Sequence, residues 1–201
     1  MKICPRAQLC NTMEWFKAAE KFNEALASAD PTPGGGAAAA MAATMGCSLA
    51  LMALQTTCKR KATTQQTKDR LTVSLRKLTA LKTQLNHYIQ EDSKAYYAYL
   101  VAKQLPKENP DREQALQKAL LYAAQVPADT ATTAITCLHE IEQITPDIAP
   151  VILSDISCAR HLLKSAIQCC VENIKANLVF IQNEEWTKKL SHAIEVFLKS
   201  C

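Results

Sequence analysis

Apolar residues recur along this chain at steps of three and four, and proline, glycine or asparagine marks the intervals between those runs. Asn11 or Thr12 can cap a first helix, in which Trp15, Phe16, Ala19, Phe22 and Leu26 form one stripe ending before Asp30-Pro31. A second helix is predicted over Ala37–Leu54. Its small residues Ala39, Ala43, Gly46, Ala50 and Ala53 share a face, and Met41, Met45, Leu49 and Met52 line the neighbouring strip, so another helix can lie very close. From about Gln65 to Leu105 the pattern is that of one long helix, with Leu71, Leu78 and Leu85 in a seven-residue series and Leu75, Leu81, Tyr88 and Ile89 on the same side. Leu105-Pro106-Lys107 ends it, and Pro110 suits the first turn of the next. That next helix, Asp111–Ile144, carries Pro127 in its interior, which predicts a kink or a division near Val126 and a carbonyl freed for a ligand or water. Beyond Thr145-Pro146, a helix from about Ile148 to Asn183 carries Ile152, Ile156, Leu163, Ile167 and Ile174 on one line. A short amphipathic helix, about Glu185 to Lys199, ends the chain.

Composition narrows the class to all-α. Aromatics are 5%, glycines number four, and alternating β-branched runs are absent, so the expectation is a bundle of long packed helices forming a single domain over residues 1–201. The net charge of +4 is mild and its cations are interleaved with acids, which argues against nucleic acid and allows a small anionic ligand. The uncharged run Ala37–Leu54 just reaches the length of a membrane span. Its wealth of Ala, Thr, Ser and Gly instead predicts a core helix, and no membrane is expected as partner. Nine cysteines, an odd number without CxxC or Cys/His spacing, and four isolated histidines predict no metal site. Met1–Asn11 lacks the apolar core of a secretory signal, and the expected compartment is the cytoplasm.

Candidate chemistry concentrates at a few points. Three of the four glycines, Gly34, Gly35 and Gly36, follow Pro31 and Pro33 and precede the alanine-rich helix. Free N–H groups of a helix start, with no side chain over them, form a seat for a carboxylate or phosphate; a tight turn that lets two helices touch needs the same residues. Lys59-Arg60-Lys61 closes that helix, as the helix dipole alone would favour. The series Leu71, Leu78, Leu85 continues at Asp92 and resumes at Tyr99, with Tyr96 and Tyr97 nearby. A carboxylate at a position patterned for leucine costs several kcal/mol if buried unpaired, so Asp92 is paired, wet or functional, unless the helix rolls to expose it. Asp155, Asn173 and Asn177 lie on a second line of their helix. Asp155 and Asn173 share an azimuth but lie about 27 Å apart, so if both are functional, one serves a site completed by another chain. There is no GxxxxGK[ST] and no GxGxxG between a strand and a helix.

The string Ala27-Ser28-Ala29-Asp30-Pro31-Thr32-Pro33-Gly34-Gly35-Gly36 followed by an alanine-rich helix resembles the cyclodeaminase domain of formiminotransferase cyclodeaminase and its stand-alone relative, methenyltetrahydrofolate cyclohydrolase. Similar to the family are also Lys59-Arg60-Lys61, Asp92-x-x-Ala95-Tyr96, Leu105-Pro106-Lys107, Val126-Pro127, Ser154-Asp155 and Asn173-x-x-x-Asn177-Leu178, which cover roughly residues 14–183. The resemblance implies an all-helical homodimer and a tetrahydrofolate substrate, often polyglutamylated, with no metal or other cofactor. It implies hydrolysis of 5,10-methenyltetrahydrofolate to 10-formyltetrahydrofolate, or ring closure of 5-formiminotetrahydrofolate with loss of ammonia. Absence of a formiminotransferase domain from this chain favours the first. Asp92 is the first choice for the catalytic carboxylate and Asp155 the second. Lys59, Arg60 and Lys61 would hold the glutamate tail or the pterin side, and Pro33, Gly34, Gly35, Gly36, Tyr96, Asn173 and Asn177 would shape the binding site. Three positions depart from the family: Ala37 stands where Ser or Thr is usual, Cys58 where Gly is, and Ala62 where an aromatic is. These departures suit a rival reading, a non-catalytic paralogue that keeps the fold.

Overall fold

The computed structural model describes residues 5–201, with side chains from residue 13 onward, so Cys4 and Cys10 and the side chains of Asn11 and Thr12 lie outside the description. Six helices account for the architecture: α1 (Pro5–Ala27), α2 (Gly35–Lys59), α3 (Gln65–Gln104), α4 (Arg112–Ile144), α5 (Leu153–Leu178) and α6 (Glu184–Lys199). No strand occurs among the described residues. α1 starts at Pro5, upstream of the predicted caps Asn11 and Thr12. Two short 3₁₀ turns, Thr145–Asp147 and Pro150–Ile152, lead into α5.

Helices α2 to α5 form an up-and-down four-helix bundle in which α2 and α4 stand diagonally and each packs on both α3 and α5. Small residues set the tightest of these contacts. A Cβ on Gly46 would lie 2.9 Å from both the Ala159 carbonyl and Leu163 Cγ, so α2 and α5 meet backbone to side chain at mid-length. Ala39, Ala43, Ala50 and Ala53 are buried on the same helix, against Ala159, Leu163 and Ala166 of α5 and the fully buried Leu71, Leu78 and Leu85 of α3. The predicted seven-residue leucine series is thus the core seam of α3. Thr57 near the end of α2 accepts from the Ala149 amide at 3.1 Å, which ties that end to the start of α5. α6 packs its Leu190, Ile194 and Phe197 over α5 and α4.

Two expectations change. Of the kink or division expected at Pro127, the division does not occur: α4 runs through with Pro127 buried, and the missing N–H is accommodated within one helix, as described below. The α1 stripe is not packed along its length: Trp15 is 71% exposed and Phe16 68%, whereas Phe22 and Leu26 are half-buried. α2 is long and apolar enough to cross a membrane by length and composition alone, and its small-residue faces are buried in this bundle.

Candidate functional site

A cavity of about 590 Å³ opens where the start of α2, the last third of α3, the first half of α4 and the end of α5 converge. α2 begins at Gly34, which is extended and whose helix start has no side-chain cap of its own. The cap comes from another helix: the Ala37 amide donates to Asp92 Oδ2 at 2.9 Å. The predicted anion seat at this helix start is therefore occupied by the chain's own carboxylate, and the two features singled out separately in the sequence are one site.

The glycines serve space, not left-handed backbone, since no glycine among the described residues has a positive φ. A Cβ on Gly36 would overlap Asp92 Oδ1, and one on Gly35 would lie 3.4 Å from Asn173 Nδ2. Gly36 lets the carboxylate reach the helix start, and Gly35 admits the amide of Asn173. Pro33 lies just before, after a cis Thr32–Pro33 bond, and Thr32 donates to Tyr97 Oη at 3.3 Å.

Asp92 is half-buried, and desolvation holds its carboxyl above the usual carboxylate range, offset in part by the Ala37 N–H. It faces a mostly apolar space with Ala95, Tyr96, Tyr99, Leu116 and Leu120 on the walls. A carboxylic acid poised in such a place can stabilise a cation and exchange a proton.

The opposite wall comes from α5 and α4. Pro127 cannot donate to the Ala123 carbonyl one turn before it, and Asn177 Nδ2 donates to that oxygen at 3.3 Å as well as to the Asn173 carbonyl at 2.9 Å. Asn173 in turn donates to the Cys169 carbonyl at 2.8 Å. The carbonyl that Pro127 frees thus accepts from a predicted site residue. Sequence reasoning missed the rim formed by Glu113, Gln117, Phe180 and Gln182. There Gln182 Nε2 donates to Glu113 Oε1 at 2.8 Å, the Gln182 amide donates to Gln117 Oε1 at 2.9 Å, and Gln117 Nε2 donates to the Phe180 carbonyl at 3.1 Å. Polar residues at a helix start and in a turn carry no periodic signal that would have marked them.

The structure brings together Gly34, Gly35, Gly36, Asp92, Tyr96, Asn173 and Asn177 around the cavity. It does not bring Lys59, Arg60, Lys61 or Asp155 there. The triplet sits exposed at the far end of α2, and Asp155 lies half-buried in the first turn of α5, which antiparallel packing places at that same far end. The length of α2 separates the two ends by about 37 Å. Among the described residues, the cavity wall carries the acids Asp92 and Glu113 and no Lys, Arg or His. No cluster of three or more His, Cys, Asp or Glu side chains suited to a metal ion occurs among the described residues.

Residues 18–196 match the family model described as formiminotransferase-cyclodeaminase. The chain is 28% identical over 186 residues to the formimidoyltransferase-cyclodeaminase of Rattus norvegicus, a match covering 89% of this chain and 34% of the relative. It is 39% identical over 113 residues to the methenyltetrahydrofolate cyclohydrolase of Methylorubrum extorquens, covering 54% of this chain and 53% of that protein. The chain thus spans about a third of the length of the formimidoyltransferase-cyclodeaminases it matches. Its fold is similar to the crystal structure of formiminotetrahydrofolate cyclodeaminase from Thermotoga maritima, with a TM-score of 0.81 and 25% identity over 90% of this chain and 88% of that one.

Proposed function

This chain belongs to the formiminotransferase-cyclodeaminase family, and from that premise we propose that it is a folate one-carbon enzyme that hydrolyses 5,10-methenyltetrahydrofolate to 10-formyltetrahydrofolate. The observation that carries the reading is Asp92, a carboxyl of raised pKa held against a helix start at the wall of a cavity with the size of a small-molecule site. The substrate is a delocalised cation at the carbon between N5 and N10. An acidic cavity favours it, and Tyr96 and Tyr99 offer aromatic walls to the pterin and the aminobenzoate.

In the proposed cycle, water attacks the bridging carbon while the Asp92 carboxylate takes one of its protons, and a tetrahedral carbinolamine forms. The bond from that carbon to N5 then breaks; the hydroxyl proton leaves as the formyl C=O forms on N10, and N5 takes up a proton through Asp92. One proton is released overall, as the change from a cationic substrate to a neutral ring system requires. The net negative charge around the cavity stabilises the cation before attack, and the carboxylate at the reacting carbon exchanges protons in both steps. Asp155 stands too far away to share this work within one chain.

The second reading is formimidoyltetrahydrofolate cyclodeaminase. It needs the same groups: N10 attacks the formimino carbon of 5-formiminotetrahydrofolate, the N10 proton and one delivered by Asp92 end on the formimino nitrogen, and the bond from the carbon to that nitrogen breaks to release ammonia and leave the methenyl cation. The family description and the structural relative from Thermotoga maritima support it equally. We further propose a cytoplasmic homodimer that accepts polyglutamylated folate; free cysteines such as the exposed Cys158 and Cys169 suit a reducing compartment.

The test is the absorbance of methenyltetrahydrofolate with purified protein, at a pH where spontaneous hydrolysis is slow, beside ammonia release from 5-formiminotetrahydrofolate. Faster loss of the methenyl chromophore that disappears in Asp92→Asn is expected. Ammonia release without accelerated methenyl hydrolysis would transfer the assignment to the cyclodeaminase. Inactivity on both would favour the non-catalytic paralogue.

A further inference from the structure

The far end of the cavity carries a carboxylate to which the proposed cycle gives no task. Glu113 stands exposed in the first turn of α4, on the cavity wall. Gln182 Nε2 donates to its Oε1 at 2.8 Å, and Gln117 Nε2, one turn along α4, donates to the same oxygen at 3.3 Å. Gln117 is itself tied twice more, by the Gln182 amide on its Oε1 and by the Phe180 carbonyl on its Nε2. Oε2 of Glu113 has no partner among the described residues, and no Lys, Arg or His of the wall offers one. The neighbouring Arg112 is engaged elsewhere, its Nε donating to the Leu105 carbonyl at 3.1 Å. A carboxylate with one oxygen fixed by two amides and the other left open is a preorganised acceptor for N–H donors.

Its distance from Asp92 sets what can lie between them. Tyr122 Oη donates to Glu91 Oε2 at 2.5 Å, so the turn of α3 that holds Asp92 is level with Tyr122 of α4. Glu113 precedes Tyr122 on α4 by about 14 Å along the helix axis. Tyr96 and Tyr99 of α3 and Leu116 and Leu120 of α4 line the interval with flat and apolar surface. It has room for a bicyclic heterocycle with a polar contact at each end.

We propose that Glu113 is a specificity-determining residue that accepts the paired N–H donors of a 2-aminopyrimidin-4-one ring, which in the proposed substrate is the far edge of the pterin. The inference rests on the folate reading and adds to it the orientation of the substrate. Two groups extend from the bridging carbon at Asp92: the pterin, whose ring N–H and 2-amino group point the same way, and the aminobenzoylglutamate, which ends in carboxylates. Two adjacent N–H donors match a carboxylate in a charge-assisted pair. A glutamate tail beside Glu113 would instead set like charges together. The pterin therefore occupies the Glu113 end. Pinning the turn after α5 does not by itself call for an acid, because Gln117 and Gln182 need one acceptor oxygen and a side-chain amide supplies that. The open second oxygen is what glutamate adds.

Glu113→Gln separates the two roles. It keeps an acceptor oxygen for Gln117 and Gln182 and turns the open oxygen into an amide that donates. Thermal melting is expected to match the unmodified chain, with kcat within about threefold and KM for the folate it turns over raised about 10- to 100-fold. A ligand without bridge or tail locates the effect. By calorimetry, 6-methyltetrahydropterin is expected to bind the unmodified chain about tenfold or more tighter than Glu113→Gln, and its 2-desamino counterpart to shrink that difference to about threefold. An unchanged KM in an active enzyme overturns the proposal, as does a loss confined to kcat or a loss undiminished with the desamino ligand. An unmodified chain that turns over neither methenyltetrahydrofolate nor 5-formiminotetrahydrofolate and binds no tetrahydropterin refutes the folate reading, and this inference with it.

Discussion

The Ala37 amide donates to Asp92 Oδ2 at 2.9 Å, joining positions 55 residues apart. This hydrogen bond makes Asp92 both the cap of α2 and the acid of the cavity, and the two roles respond differently to substitution. Asn retains an acceptor for the amide but cannot exchange a proton as a carboxylate does. Asp92→Asn is therefore expected to keep the fold, by circular dichroism and thermal melting, while turnover falls about 100-fold or more. Asp92→Ala removes the cap as well and should cost about 1 kcal/mol of stability in addition. Equal melting behaviour of the Asn and Ala variants would contradict the capping role.

The pH dependence of Asp92 has a definite sign. Burial raises its pKa in the folded state, so the folded protein holds this proton more tightly than the unfolded chain does. Its contribution to stability is complete below the unfolded carboxyl pKa and is lost as pH rises through the folded value. Catalysis as a base has the opposite slope, since activity rises through that same folded pKa. The Asp92→Asn variant should abolish both limbs, read from urea midpoints and from the acid limb of kcat/KM. An acid limb of kcat/KM falling at an ordinary or depressed carboxylate pKa would oppose the assignment.

Gly36→Ala tests the close approach from the other side. Its Cβ would overlap Asp92 Oδ1, so the carboxylate must leave the helix start or α2 must move away from α3. Overpacking of this kind costs about 1–3 kcal/mol. Activity should fall further than stability alone explains, because the displaced group is the one proposed as catalytic. A variant with unchanged kcat/KM would show that the position of Asp92 is not what turnover depends on.

Asn177 and Pro127 are coupled through the Ala123 carbonyl. Asn177→Ala leaves that oxygen without its side-chain donor, at a cost of about 1–2 kcal/mol. Pro127→Ala restores a backbone N–H that can take the carbonyl within the helix. In the Pro127→Ala background, Asn177→Ala should therefore cost less, and a double-mutant cycle by urea unfolding measures the difference. Additive effects would mean that Asn177 stabilises the protein by some other contact.

Much of this was legible in the pattern of the chain. Leu71, Leu78 and Leu85 marked the α3 seam, and the break at Asp92 marked a position on it that is not simply core, because seven-residue spacing fixes a helix face whatever lies opposite. The glycine run marked the other half of the site. That Asp92 meets this run was not legible, since a contact across 55 residues depends on how whole helices pack. The glycines were read as a helix start left open to an anion or as a turn that lets two helices touch, and their use is the absence of a Cβ, which lets Asp92 and Asn173 approach that start. Pro127 announced a free carbonyl but not its donor. The α1 stripe shows the limit most plainly: periodicity says that Trp15 and Phe16 form an apolar face, and it does not say what covers them.

Gly46 offers a test of the fold apart from the chemistry. A Cβ there would stand 2.9 Å from the Ala159 carbonyl, a backbone atom that cannot rotate away, and 2.9 Å from Leu163 Cγ. Alanine has the better helix propensity by about 1 kcal/mol, so on an exposed helix Gly46→Ala would stabilise. Here α2 and α5 must separate to admit the methyl, and every buried contact along their shared length weakens with that movement. The net expectation is a loss of about 1–3 kcal/mol in urea unfolding, with kcat/KM reduced as well because the two helices carry opposite walls of the cavity. A gain in stability would mean that α2 and α5 are further apart at Gly46 than this packing requires, and would remove the reason for a glycine in the middle of the central helix.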